Sequence, residues 1–228
     1  MPTLTFLGHA CCEARAGETR VLFDPFLTGN PLAAIRPEDL TPTAILITHA
    51  HNDHLGDAAA IARRSGALVV STFEIATFLE HMGLKAHGMH IGGSRAFNWG
   101  RVKLTPAWHG STYLDEHGFH PLGTPAGFLL TLEGRTLYHA GDTALFGDMQ
   151  LIGRAGIDLA LLPIGDNYTM GPDDAVEAVK LLRPRAVVPI HYNTFPVIEQ
   201  DPKAFAARVA RETDARCIVL NPGESTEF

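Results

Sequence analysis

The stretch that most constrains this chain is His49-Ala50-His51-Asn52-Asp53-His54, in which four of six residues can bind a metal. Ahead of it, Ala44-Ile45-Leu46-Ile47 is short, apolar and rich in β-branched residues, so it reads as a buried strand, with Thr48 beginning the exit into a loop. If the backbone stays extended beyond Thr48, alternate side chains share a face, which points His49, His51 and Asp53 toward one site. His54 then joins them only through a turn. Imidazole and carboxylate together suit a borderline divalent cation with about four ligands. Adjacent Asp53 and His54 crowd an ion already held by His49 and His51, so the spacing invites a second metal. The alternative is a polar loop with histidines by chance, and H-x-H-x-D-H after a buried strand is far tighter than that.

The same six residues resemble the metal-binding signature of the metallo-β-lactamase superfamily. Two later segments, Tyr138-His139-Ala140-Gly141-Asp142-Thr143 and Pro189-Ile190-His191-Tyr192-Asn193-Thr194-Phe195-Pro196, resemble a narrower family of metal-dependent hydrolases related to ascorbate-6-phosphate lactonase. The resemblance implies an α/β fold of four αββα layers, two mixed sheets face to face with helices outside. It implies one metal on His49, His51 and His109, another on Asp53, His54 and His191, and Asp142 bridging both. A carboxylate suits bridging because each of its two oxygens can take one ion. From local sequence alone, Asp142 also fits a helix N-cap and His109 is an ambiguous strand-end histidine.

The length of 228 residues and 46% hydrophobic content suit one large domain spanning 1–228. No apolar run approaches the ~20 residues of a membrane span, so no membrane association is expected. Met1 to Leu7 lacks a basic region leading into an apolar one, so no export signal is read and a cytoplasmic location is expected. Three cysteines without a C-x-x-C pair suggest neither a disulfide framework nor a thiolate zinc site. The formal charge of -7 argues against a nucleic-acid partner, whose affinity would come largely from Lys and Arg.

Along the chain, Leu4–Leu7 and Thr19–Phe23 read as strands joined around Ala16-Gly17-Glu18. Helices are expected over Asp57–Arg64, Phe73–Met82, Pro172 to about Leu182, and Phe205–Glu212. Further strands are expected at Ala67–Ser71, Val102–Thr105, Gly127–Leu132, Arg135–Tyr138, Asp158–Ile164, Ala186–Ile190 and Cys217–Leu220, with Ser111–Ala126 a long connection beside the site. His9 either lines the site or is structural, and Asp24 either orients a ligand histidine or is an ordinary turn aspartate. His139 is expected to pack behind Asp142. Gly165–Gly171 is expected to wall the pocket, and Asp166, Tyr192 and Asn193 are candidates for substrate contact or for support behind the ligands.

These residues imply a hydrolase that uses a metal-bridged hydroxide, with Asp53 orienting the nucleophile. The cofactors expected are two divalent ions, zinc first by ligand type, with manganese or iron also suited. No G-x-S-x-G or cysteine nucleophile competes. The segments around the ligands contain no Lys or Arg, so a phosphate clamp would come from elsewhere, with Arg36, Arg95 and Lys103 as candidates. The partner expected is therefore a small, weakly charged lactone or ester. Phosphodiester hydrolysis, a non-catalytic metal-dependent binding or sensing role, and homo-oligomer formation stay open.

Overall fold

In the computed structural model, which describes residues 1–228, alternation along the strands sorts the core into three layers. The first half of the chain forms β1 (Thr3–Gly8), β2 (Cys11–Ala16), β3 (Thr19–Phe23), β4 (Ala44–Leu46), α1 (Asn52–Leu55), α2 (Ala58–Ser65), β5 (Leu68–Thr72), α3 (Phe73–His81) and β6 (Ala86–Met89). Next come β7 (Ser94–Phe97), β8 (Gly100–Pro106), β9 (Thr112–Asp115), β10 (Gly118–Pro121), β11 (Ala126–Leu132) and β12 (Arg135–His139). The chain closes with α4 (Met149–Ile152), β13 (Leu159–Pro163), α5 (Pro172–Leu182), β14 (Ala186–Ile190), α6 (Pro202–Glu212), β15 (Arg216–Cys217) and β16 (Ser225–Glu227).

Two seven-stranded sheets result, ordered β16-β1-β2-β3-β4-β5-β6 and β15-β14-β13-β12-β11-β8-β7. Both are mixed: β3 to β6 run parallel, as do β12 to β15, while the remaining pairings are antiparallel. Phe23, Leu46 and Val70 point inward to meet Leu104, Phe128, Leu137, Leu161 and Val188 of the facing sheet. Their neighbours Leu22, Ile45 and Val69 point outward beneath Ile61, Ile75 and Leu79 of α2 and α3. On the other side, Tyr138, Ala160, Leu162 and Val187 lie beneath Val176 and Val179 of α5 and Phe205 and Val209 of α6. Strands covered on both faces read as continuous apolar runs, which is why β4, β13 and β14 were legible. The expected αββα sandwich is the arrangement observed.

Several local readings need correction. The hairpin turn at Gly17-Glu18 joins β3 to β2, a strand absent from the sequence reading. Its residues Cys11-Cys12-Glu13-Ala14-Arg15-Ala16 are small or charged, with no β-branched side chain, and Glu13 stays buried because Arg20 Nε donates to its Oε1 at 3.0 Å. The long connection after Ser111 holds the ribbon of β9 and β10, whose Tyr113 and His120 face Phe78. Helix α6 begins three residues early because Pro202 occupies its first turn and Asp201 accepts from the Lys203 and Ala204 N–H groups. The strand expected at Cys217–Leu220 is only Arg216–Cys217, at the edge of the second sheet beside β14, and the chain's last strand is β16, paired with β1 at the edge of the first.

Gly56 ends α1 with φ at +38°, and a Cβ there would stand 2.5 Å from the Pro25 carbonyl oxygen and 2.8 Å from Phe26 Cα. Substituting Gly56→Ala forces backbone to move beside the turn that carries Asp53 and His54. The variant is expected to lose about 2 kcal/mol or more of stability, measured by denaturant melts of metal-free protein. Unchanged stability would count against this close approach.

Candidate metal centre

Strands β1, β3, β4, β8, β12, β13 and β14 all deliver their following loops to one edge of the sandwich, where the histidines and acids gather. His49 follows β4, and His51 still has extended backbone with ψ at 147°. The chain then turns into α1, so Asp53 does not continue the extended alternation; helical curvature brings both Asp53 and His54 inward. His109 follows β8, Asp142 follows β12, and His191 leaves β14 with φ at 56°.

Three imidazoles form the first group: His49 Nε2 lies 3.1 Å from His51 Nδ1, which lies 3.2 Å from His109 Nε2. The second group is His9, Asp53, His54 and His191, each offering one ligating atom within 4.8 Å of the others. Asp142 stands between the groups. Its Oδ2 is 3.0 Å from His191 Nε2, 3.3 Å from His54 Nε2, 3.6 Å from His109 Nε2 and 3.9 Å from His49 Nε2. Asp142 does not cap a helix, since the next one begins at Met149.

Asp24 supports this arrangement from behind. One oxygen accepts from the Thr48 N–H at 2.8 Å, and the other accepts from the Thr48 hydroxyl at 2.6 Å and lies 2.8 Å from His54 Nδ1. Its place in the sequence left two roles open; the structure shows it orienting an imidazole. His139 stacks on Phe23 with ring centroids 5.0 Å apart and reaches the Ala10 carbonyl at 3.0 Å, while its Nδ1 accepts from the Gly141 N–H at 3.1 Å. It braces the backbone before Asp142. Asp166, Tyr192 and Asn193 do not line the cavity. Asp166 Oδ1 accepts from its neighbour's N–H, Tyr192 packs into the outer core, and Asn193 Oδ1 accepts from the Gln200 N–H. Positive φ values at all three positions or beside them turn the loops locally, which spacing alone did not reveal.

The cavity over the cluster has a volume of about 240 Å³ and is lined by His51, Asp53, His109, Asp142, Tyr168 and His191. Tyr168 is a lining residue that the sequence reading did not single out, although its segment was expected to form a wall. Its signal was a single aromatic ring inside the polar loop Gly165–Gly171. Thr48, which the sequence marks only as the exit from the strand, places its hydroxyl 3.0 Å from His49 Nδ1 as well as on Asp24. Lys and Arg are absent from the lining. Arg36 pairs with Asp39, Arg95 lies over Phe97, and Lys103 lines a separate cavity with Leu129 and Leu151.

Charge at the site is strongly polarised. Burial opposes ionisation of Asp142, but the facing His191 and His54 overcome it and hold the carboxyl well below the usual carboxylate range. Burial likewise opposes a charge on His54, yet Asp142 and Asp24 on either side raise its pKa well above the ordinary 6.5. His49 is driven well below that value by burial and by the neighbouring His54, and His51 and His109 are lowered mainly by burial. His54 Nε2, Asp142 Oδ1 and both ring nitrogens of His191 are buried without a hydrogen-bond partner. Buried polar atoms are nearly always paired, so unpaired nitrogens and a carboxylate oxygen converging on one cavity fit the coordination needs of a divalent cation.

A ligating imidazole must be neutral, so a cation binding at His54 would have to displace the proton that Asp24 and Asp142 favour there. Affinity for added zinc is expected to fall on acidification from pH 8 to 6, by up to about tenfold per pH unit for one displaced proton. Calorimetry in buffers of different ionisation enthalpy should register the released proton; an affinity independent of pH would contradict the reading. In metal-free protein the sign for stability is opposite. The raised His54 value contributes fully below about pH 6.5 and is lost as pH rises through the folded-state value.

Residues 19–192 match the β-lactamase superfamily domain. Over 227 residues the chain is 55% identical to a UPF0173 metal-dependent hydrolase of Pelotomaculum thermopropionicum, covering 99% of each protein. Among solved structures it is similar to Igni18, a metallo hydrolase of the archaeon Ignicoccus hospitalis, with a TM-score of 0.91, 39% identity, and 100% and 99% of the two chains covered. The metallo-β-lactamase fold protein YhfI of Bacillus subtilis, 11% identical with a TM-score of 0.76 over 100% of both chains, shares the fold. The chain belongs to the UPF0173 family of metal-dependent hydrolases within the β-lactamase superfamily.

Proposed function

We propose that this UPF0173 member hydrolyses a small, weakly charged lactone or ester at a centre of two divalent ions, zinc by preference. The observation that carries the reading is the pair of ligand groups joined by Asp142. His49, His51 and His109 would hold one ion, Asp53, His54 and His191 the other, with Asp142 shared between them. Ions so bound supply Lewis-acid polarisation of a substrate oxygen and a nucleophile at neutral pH.

The protein's own groups supply the rest. Asp24, bonded to Thr48 and His54, fixes one ligand ring before any ion arrives, so little reorganisation is needed on binding. Asp53 is 31% exposed at the side chain, which leaves its carboxylate able to accept a hydrogen bond from an attacking water and orient it. Tyr168, 57% exposed, forms the open wall against which the non-reacting part of a substrate packs. The small volume and the lack of Lys or Arg in the lining favour a compact neutral acyl compound over a polyanionic chain.

Asp142→Ala is expected to remove or scramble both ions, because no other carboxylate lies between the two groups. Elemental analysis that still finds two metals per chain would sink the bridging role. Asp53→Asn, nearly isosteric, is expected to lower turnover by about 100-fold or more with metal content and fold retained. For substrate class, kcat/KM should be compared across lactones, esters and phosphodiesters under identical metal loading. A phosphodiester preference above about 100-fold, near 2.7 kcal/mol of transition-state stabilisation, would overturn the lactone or ester reading. Absence of any turnover that chelation abolishes would favour a binding or sensing role.

A further inference from the structure

His9 is the imidazole beside the cluster that the proposed ligand set leaves out. It occupies the turn between β1 and β2 with a left-handed φ of 59° and is fully buried. Its ring centroid lies 4.1 Å from that of His191, and Phe26 and Phe195 meet it edge to face. The His9 carbonyl accepts from the His191 N–H at 2.8 Å, so the turn is fastened to the opposite sheet. Each ring nitrogen has one close oxygen: Nδ1 is 2.8 Å from Thr194 Oγ1, and Nε2 is 3.3 Å from Asp53 Oδ2.

The chemistry of these partners fixes the direction of the chain. An ionised carboxylate can only accept, so Nε2 must carry the hydrogen that faces Asp53. In a neutral imidazole Nδ1 is then an acceptor, and the Thr194 hydroxyl is the donor that matches it. The hydroxyl's other outlet, the Tyr192 carbonyl, is 3.5 Å away and competes poorly. Thr194 thus donates to His9 Nδ1, and His9 Nε2 donates to Asp53 Oδ2.

We propose that His9 is a positioning residue for Asp53, locked by Thr194 in the Nε2–H tautomer so that it pins the carboxylate at Oδ2, the oxygen that also lies 3.9 Å from His191 Nε2. The inference rests on the role given to Asp53 above. Asp53 sits on a helix of only four residues, where its own backbone gives little restraint. A buried donor anchored from the facing sheet supplies the missing restraint.

The first test uses zinc-loaded protein labelled with ¹⁵N-histidine, with the His9 signals assigned by their loss in His9→Gln. A protonated Nε2 and an unprotonated Nδ1 are expected; the reverse pattern overturns the proposal. The second compares Thr194→Val, which removes the donor at nearly constant volume, with Thr194→Ser, which keeps it, on 4-nitrophenyl acetate. Thr194→Val should lower kcat by about tenfold with KM within about twofold, and Thr194→Ser should recover it. Wild-type kcat in Thr194→Val overturns the proposal. Asp53→Asn separates the two readings: if it retains full turnover, the role of Asp53 itself fails, whereas lost turnover there beside an unaffected Thr194→Val removes only the positioning by His9.

Discussion

A buried carboxylate among four imidazoles is the interaction on which this structure turns. Asp142 is 2% exposed, and its Oδ2 lies within 4 Å of nitrogens of His49, His54, His109 and His191. Burying one unpaired charge costs several kcal/mol, so such a group persists only where opposing charge is close and held in place. In metal-free protein the proton on His54 supplies that charge. A divalent cation would supply more of it and would also engage the nitrogens that the proton leaves without partners.

The scaffold around Asp142 is built to keep these groups from drifting apart. Phe23, Phe128, Leu137 and Leu161 fill the space between the sheets, and the loops that follow the strands of Phe23 and Leu137 carry Asp24 and Asp142. His9, Asp24, His191 and Asn193 all take left-handed backbone, a conformation that costs a non-glycine residue about 1 kcal/mol or more. Concentrated at one edge, that strain marks loops selected for where they aim side chains rather than for local stability. The Asp24 bonds to Thr48 and His54 and the His9 bonds to Thr194 and Asp53 hold those aims against relaxation.

Much of this was legible before the structure. The H-x-H-x-D-H run after β4 and the histidines and acid after β8, β12 and β14 sit where apolar strands end, and the alternation of apolar faces implied layers. What stayed hidden depends on contacts distant in sequence. Strand β2 lacks β-branched residues and is a strand because β1 and β3 flank it, with Arg20 neutralising its buried Glu13. Asp53 was read as extended, yet its cluster forms because α1 begins after His51, a turn that Gly56 and the Pro25-Phe26 backbone help to set. Tyr168 reaches the cavity through a loop whose positive φ values at Asp166 and Asn167 no local pattern announced.

The site also joins the two halves of the sandwich. His49, His51, Asp53 and His54 come from the first sheet and its following helix, whereas His109, Asp142 and His191 come from the second. Backbone bonds already cross at this edge, from Ala126 N–H to the Thr48 carbonyl at 2.9 Å and from His191 N–H to the His9 carbonyl at 2.8 Å. A Cβ on Gly141 would meet Thr48 Cβ at 2.9 Å, so the strands approach as closely as side chains permit. Any cation held by residues of both sheets must bind the packed sandwich in preference to the separated or unfolded sheets, and by linkage it stabilises that packing in proportion to its affinity. With an ion held across both sheets, metal content and the mutual orientation of the sheets would be one equilibrium, and a substitution deep between the sheets, far from any ligand, would act on the centre through the same geometry that Asp142 depends on.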